Sequence, residues 1–292
     1  RAQAGGTVRT TFLNSSAAVA CGRMIAGAIL FGTTAVNAMT NIDATRARRF
    51  PPSDFPAPAW PYSRRDMSRM DEAADFNFYS APRFVTHIDE GAIASLTQYY
   101  DEALLAGNDV LDLCSSWISH LPPNKELGRV VGLGMNAREL EANEQLTEWV
   151  LRDLNSEPTL PFDDESFDAV LNVVSVDYLN KPQQVFSEMH RVLRPGGVAL
   201  MSFSNRCFPT KAVKIWLDAD DEERKHIVAS YFWYAPRDGW ADIMAIDLKP
   251  SKGAGLASGT LPSSFLGLFG SLLPSGDPMI VVRANKRATC AT

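Results

Sequence analysis

The stretch FSEMHRVLRPGGVALMSF, from Phe186 to Phe203, decides how the second half of the chain folds. Its first part belongs to a run with helical spacing, which predicts a helix over Lys181 to Leu193. The PGG sequence at 195–197 predicts a turn, because proline does not easily continue a helix and glycine accepts the turn dihedrals. The apolar run from Gly197 to Phe203 then predicts a buried strand. The stretch is therefore one helix–turn–strand unit.

Similar units precede this stretch. A helix is predicted over Gly91 to Ala106, and four more apolar runs have the length of strands: Asp109–Leu113, Gly128–Gly134, Glu148–Asp153 and Phe167–Ser175. Two later runs, Asp242–Leu248 and Pro278–Ala284, predict a terminal hairpin. Alternating strands and helices predict an α/β domain with a mostly parallel sheet of about seven strands and helices on both faces. Ligands of such sheets bind at the carboxyl ends of the strands.

The composition narrows the choice of partners. Hydrophobic residues make up 46% of the 292-residue chain and charged residues 21%, which is a globular balance. The formal net charge of -6 argues against a nucleic-acid partner, because phosphate binding needs a clustered positive surface. The four cysteines and four histidines lack the spacing of metal ligands, so no metal site is expected.

The first 45 residues are predicted to be a targeting segment or a membrane anchor. No Asp or Glu precedes Asp43, as in organelle transit peptides. The uncharged run from Met24 to Met39 predicts a hydrophobic helix, which is either a cleaved signal, a retained anchor or a buried helix of the main domain. Residues 46–88, with five prolines between Arg46 and Arg65, are predicted to be a Pro/Arg-rich linker.

Two motifs carry a family resemblance. The run DLNSEPTLPFDDESFDAVLNVVSVDYL, Asp153 to Leu179, followed by Phe186 to Phe203, resembles the UbiE-type branch of class I S-adenosylmethionine-dependent methyltransferases. In that family a strand-terminal acid precedes LPFxDxSFDxV, and a later helix ends in VLRPGG. The resemblance covers roughly Val110 to Asn205. It is greatest to a plant and algal plastid subgroup that shares the Cys-Ser-Ser-Trp segment at 114–117.

The resemblance implies a Rossmann-like class I methyltransferase fold over residues 89–286. Within it, residues 250–277 are expected to form an inserted loop, and residues 287–292 a short tail. The implied cofactor is S-adenosylmethionine, whose adenine amino group donates a hydrogen bond to Asp153 in this scheme. The full set of expected cofactor contacts is Asp112, Cys114, Ser115, Ser116, Gly134, Met135, Asn136, Asp153, Leu154 and Val173.

The first loop departs from the family pattern DxGxGxG. Its glycines are replaced by Cys114, Ser116 and Ile118. Ser115 or Ser116 is expected to cap a following helix, and Ile118 to pack that helix onto the sheet. Trp117 is large enough either to wall the pocket or to fill it.

The second departure concerns the ribose. The family ends the second strand with an acid that binds both ribose hydroxyls, and this chain has Gly134 there. Asn136, Glu139 or a water is expected to compensate in part.

After the fourth strand, Asp177 is a candidate base and Tyr178 a candidate positioning group. The alternative is that Asp177 caps a turn and Tyr178 packs beneath it. The expected function is methyl transfer to a small, lipophilic acceptor by a thylakoid-associated chloroplast protein. The alternative function is a catalytically inactive scaffold or assembly subunit of a membrane protein complex.

Overall fold

The computed structural model describes residues 46–248 and 276–288. They contain a sheet of eight strands in the order β1-β7-β8-β6-β5-β2-β3-β4. The strands are β1 Ala47–Arg49, β2 Val110–Leu113, β3 Val130–Gly134, β4 Glu148–Leu151, β5 Phe167–Val173, β6 Leu193–Phe203, β7 Trp240–Leu248 and β8 Met279–Lys286. The helices are α1 Asp75–Tyr79, α2 Glu90–Ala103, α3 Ala137–Glu141, α4 Pro182–Val192, α5 Lys214–Asp218 and α6 Asp221–Tyr234.

The five strands from β6 to β4 pair in parallel, as the alternating pattern predicts. Strands β2, β3 and most of β5 are buried because both faces of the sheet are covered there, whereas β4 lies at the sheet edge and is largely exposed. In β2, Leu111 lies in the core beneath α4 and α6, whereas Val110 lies in the opposite core beneath α2. The order 6-5-2-3-4 brings the carboxyl ends of these strands to one edge, where a doubly wound sheet binds its ligands.

The connection between β2 and β3 differs from the prediction. Residues 114–129 contain no helix, so neither serine caps one and Ile118 packs none onto the sheet. Two features explain the loop. Cys114 and His120 have left-handed backbones, with φ of 58° and 55°, which end a right-handed helix. Pro122 and Pro123 then block helix formation in the second half of the connection.

Residues 46–88, expected to be a linker, pack against the sheet. Strand β1 pairs antiparallel with β7 and makes the sheet eight strands wide rather than about seven. Phe50 and Phe55 are buried in the main core, and the Phe55 ring stacks on Trp233 with centroids 5.1 Å apart. The prolines do keep the segment extended, but the aromatic residues between them bury too much apolar surface for it to stay free.

The terminal hairpin is confirmed as an antiparallel pair of β7 and β8, with Ile246 opposite Val281. The expected amino-terminal helix, most of the expected inserted loop at 250–277 and most of the expected tail lie outside the described residues. Within the part of the chain that is described, no helix is long and apolar enough to cross a bilayer.

Candidate functional site

A cavity of about 500 Å³ opens at the carboxyl edge of the sheet. Its walls come from the ends of β2 to β6 and from residues 75–88. Every site residue expected from the sequence lines it except Gly134 and Asp177: Asp112, Cys114, Ser115, Ser116, Met135, Asn136, Asp153, Leu154, Val173 and Tyr178. The sequence motifs thus bring one set of side chains around one cavity, and their roles toward a ligand stay predictions.

Asp112 organises the loop that follows β2. Ser115 and Ser119 each donate a hydroxyl hydrogen bond to Asp112 Oδ2 at 2.7 Å. Burial raises the pKa of Asp112 to about 6, and the two serine hydrogen bonds partly oppose that rise. The loop is therefore closed by side chains on a buried carboxyl group, where the family pattern has flexible glycines.

Cys114 has a backbone conformation that favours glycine. Its φ of 58° lies in the left-handed region, which is uncommon for residues other than glycine. Burial raises the pKa of the Cys114 thiol to about 12, so the side chain stays protonated at neutral pH. The first turn of the loop therefore survives the loss of glycine, and its side chain is a weak hydrogen-bond donor rather than a nucleophile.

Gly134 does not border the cavity because the loop lies directly against it. A Cβ atom at this position would approach the Ser115 carbonyl oxygen to 2.2 Å. The amide of Ser115 donates to Leu133 O at 2.9 Å and fixes the loop there. The position of the family's ribose acid is thus closed by backbone, which the sequence alone did not show.

The two groups expected to compensate for the missing acid already have partners. Asn136 Oδ1 caps α3 by accepting from Arg138 N and Glu139 N at 3.1 and 3.3 Å, and its amide donates to Tyr79 O at 2.9 Å. Glu139 accepts from Ser116 Oγ and from Arg83 N, both at 2.6 Å. Both side chains line the cavity, but they chiefly hold its walls together.

Asp153 follows β4 and lines the cavity beside Leu154, as its proposed adenine contact requires. Its Oδ1 accepts from Asn155 N at 2.9 Å, while Oδ2 accepts no hydrogen bond among the described residues. One carboxylate oxygen therefore remains able to accept a hydrogen bond from a ligand.

Asp177 and Tyr178 separate in the short turn after β5. Asp177 is buried away from the cavity, its Oδ2 has no hydrogen-bond partner, and burial raises its pKa to about 8. Such a group is protonated at neutral pH and is not placed to act as a base on a ligand. Tyr178 does line the cavity, and its hydroxyl oxygen accepts from Phe208 N at 2.8 Å. Tyr178 thus holds the loop after β6.

Trp117 walls the cavity and does not fill it. Its indole Nε1 donates to Val85 O at 3.1 Å. The ring also meets Phe84 edge to face, with centroids 6.4 Å apart. Both partners belong to the segment before α2, so the indole fastens that segment to the loop.

Sequence reasoning missed a buried ion-pair network in one wall. Asp75 accepts from Arg69 Nη1 on both carboxylate oxygens, at 2.8 and 2.7 Å, and lies 3.1 Å from Lys211 Nζ. Asn155 Nδ2 donates to Asp75 at 2.8 Å and to Tyr178 O at 2.8 Å. The network ties residues 69–75 to the loops after β4 and β5. The one arginine and three acids of residues 69–75 were its only signal in the sequence.

Comparison with known proteins agrees with this geometry. Residues 114–201 match the family model of a methyltransferase domain. Over 59 residues the chain is 48% identical to the biotin biosynthesis bifunctional protein BioHC of Teredinibacter turnerae. These residues make up 20% of this chain and 10% of BioHC. Over 135 residues it is 29% identical to the methyltransferase GfsG of Streptomyces halstedii, covering 42% of this chain and 47% of GfsG.

The chain therefore spans half or less of the length of these curated relatives. Among solved structures, an S-adenosylmethionine-dependent methyltransferase from Mesorhizobium loti is 14% identical, with a TM-score of 0.44 over 66% of this chain and 98% of that one. The match over residues 114–201 is to a methyltransferase domain, and the strand order and the cavity agree with the class I fold of such domains. S-adenosylmethionine is the cofactor of that class.

Among residues 46–248 and 276–288, no group of three or more His, Cys, Asp and Glu side chains is arranged to hold a metal ion.

Proposed function

We propose that this chain binds S-adenosylmethionine in the cavity at the carboxyl edge and transfers its methyl group to a small, lipophilic acceptor. The observation that carries the proposal is the cavity itself, which stays open at about 500 Å³ although residues 110–122 contain no glycine. The hydrogen bond from Trp117 to Val85 keeps the indole in the wall. This open space supports an enzyme over the alternative of an inactive scaffold.

The residues present suit the cofactor. Asp153 Oδ2 would accept a hydrogen bond from the adenine amino group, while Leu154, Met135 and Val173 offer apolar contacts around the nucleoside. When bound, S-adenosylmethionine supplies a methyl group already activated by the sulfonium. The protein then has mainly to align the acceptor and exclude water.

The acceptor would lie against the aromatic side of the cavity. His87, Tyr178 and Phe208 line this side, and the Phe208 ring lies 5.5 Å from the His87 ring and 6.1 Å from the Tyr178 ring. Burial raises the pKa of Tyr178, so its phenol stays protonated and orients the acceptor rather than taking its proton. These rings favour a flat or lipophilic acceptor.

Calorimetric titration of the full chain with S-adenosylmethionine and with S-adenosylhomocysteine tests the binding step. We expect one-site binding that Asp153→Asn weakens by tenfold or more, because a hydrogen bond to a charged group is lost. Asp164→Asn is the matched control, since Asp164 is an exposed acid outside the cavity wall. Absence of heat with either ligand at millimolar concentration would remove the proposal.

We further propose that the protein acts in the chloroplast, in association with thylakoids. The support is the acid-free composition before Asp43 and the uncharged run that it contains. Microscopy of a carboxyl-terminal fluorescent fusion, with and without residues 1–45, tests this location. Fluorescence in the cytosol with the complete segment present would contradict it.

A further inference from the structure

Three residues that line the cavity have left-handed backbones although none is glycine. Cys114, His120 and Val174 have φ values of 58°, 55° and 42°. A positive φ is especially costly for a β-branched residue such as Val174. Strain of this kind persists where the surrounding structure imposes it, and it clusters at ligand sites. Two of the three, Cys114 and His120, belong to the loop that replaces the helix after β2.

In this loop, His120 has an imidazole that makes no hydrogen bond within the described chain. It is 8% exposed and lines the cavity, and neither ring nitrogen has a hydrogen-bond partner among the described residues; Nδ1 is shielded, so Nε2 is the nitrogen open to a ligand. Only its backbone carbonyl is bonded, accepting from Thr97 Oγ1 at 3.1 Å. Because a buried polar group without a partner is costly, the imidazole is expected to meet a ligand group.

The hydroxyl and indole donors of the loop already have hydrogen-bond partners within the chain. The hydroxyls of Ser115 and Ser119 donate to Asp112, and that of Ser116 donates to Glu139. The indole of Trp117 donates to Val85 O. Among the residues of this loop that line the cavity, the imidazole is the strong side-chain donor left for a ligand.

The strand order says which part of the ligand would reach His120. If adenine lies at Asp153 after β4, the sugar lies near the end of β3 and the amino-acid end near β2 and β5. Neighbouring strands are about 4.8 Å apart, so this edge is roughly 14 Å long. His120 belongs to the loop that follows β2, and Val174 follows β5.

We propose that His120 donates a hydrogen bond to the carboxylate of the amino-acid end of S-adenosylmethionine. This inference rests on the proposed function and adds one residue to it. A helix after β2 would offer free backbone amides to an anion, and this chain has no helix there. The imidazole takes over that task. Burial lowers the pKa of His120 to about 4, with a small further contribution from His87, so the neutral ring donates one N–H.

The test compares two ligands that differ at this end. S-adenosylhomocysteine carries the amino-acid group, whereas 5′-methylthioadenosine keeps the nucleoside and lacks that group. In calorimetric titrations of the full chain, we expect His120→Gly to weaken the binding of S-adenosylhomocysteine by about tenfold or more. The affinity for 5′-methylthioadenosine should stay unchanged. Glycine suits the left-handed backbone of position 120, so the variant should fold. Asp238→Gly is the matched control: it also places glycine at a left-handed position, φ 61°, but on an exposed residue outside the cavity wall, and it should leave the affinity for both ligands unchanged.

A second measurement uses the wild-type chain. With histidine labelled by ¹³C in the ring, the His120 resonance, assigned by its loss in His120→Asn, should shift with S-adenosylhomocysteine and stay in place with 5′-methylthioadenosine. If His120→Gly lost affinity equally for both ligands, or for neither, the role of His120 would be overturned. The proposal that the chain binds the cofactor would still stand. If the wild type bound neither ligand, the proposed function would fail and this inference with it.

Discussion

Restoring the family's ribose acid by Gly134→Asp should damage the protein rather than improve cofactor binding. A Cβ atom at position 134 would lie 2.2 Å from the Ser115 carbonyl oxygen, and 3.1 Å from Leu140 Cδ2. The carbonyl would have to retreat by about 1 Å to reach van der Waals contact. It cannot do so freely, because Ser115 is held by its amide to Leu133 O and by its hydroxyl to Asp112.

The expected cost combines two effects. Overpacking a buried site costs about 1 to 3 kcal/mol, and loss of one of the Ser115 hydrogen bonds adds about 1 kcal/mol. A domain of this size should therefore lose roughly 5 to 15 °C in its thermal midpoint. Thermal unfolding followed by circular dichroism measures the loss, and calorimetry with S-adenosylhomocysteine measures whether binding improves.

Gly132→Ala is the matched control on the same strand. Its added Cβ would meet Leu146 Cδ1 at 2.4 Å, which is the tip of a half-buried side chain that can turn away, rather than backbone. We expect it to cost less than half as much as Gly134→Asp. A Gly134→Asp protein with the wild-type thermal midpoint and tighter binding of S-adenosylhomocysteine would refute the reasoning.

Two further predictions concern buried ionisable side chains. Burial raises the pKa of Asp177 to about 8 from 3.8, so its folded form favours the proton. The native state is therefore penalised progressively as the pH rises from about 4 to 8, and Asp177→Asn should gain stability over wild type by about 1.4 kcal/mol per pH unit across that range. Urea unfolding at pH 5 and pH 8 measures the difference, and a difference independent of pH would contradict the prediction. Lys211→Met should destabilise by about 3 kcal/mol in the same assay, because it leaves Arg69 as the one positive partner of the buried Asp75 and removes the hydrogen bond to Ala73 O. Lys214→Met, which removes an exposed pair with Asp218, should cost less than about 1 kcal/mol, and similar losses for the two lysine variants would count against a buried network.

Strands β3 and β5 were predictable because both of their faces are buried, so each reads as a nearly unbroken apolar run, whereas the edge strand β4 is largely exposed. Val130–Gly134 and Phe167–Val173 fall within the predicted ranges for this reason. The missing helix after β2 was not predictable from periodicity. Its absence goes with the left-handed backbones of Cys114 and His120, and the His120 carbonyl accepts a hydrogen bond from Thr97, a side chain distant in sequence.

The sequence predicted which strand ends form the site. It did not predict what each side chain does there. Asp153 and Met135 line the cavity because they follow parallel strands that end at one edge. Which way a side chain points after a strand depends on the turn, and the turn at Val176–Tyr178 directs Asp177 inward while Tyr178 lines the cavity. No pattern in a single sequence reports that direction.

The packing of residues 46–88 determines where this protein can be truncated without loss of its core. Asp75, Tyr79 and Arg83 supply part of the cavity wall, and Phe50 and Phe55 belong to the main core. A version trimmed to the motif-bearing region from residue 89 onward would lose that wall and expose apolar surface on α6. Expressed fragments should therefore begin ahead of Arg46. A deletion within residues 46–88 would lower the solubility of the protein, so a loss of activity in such a variant would not identify a residue needed for the reaction.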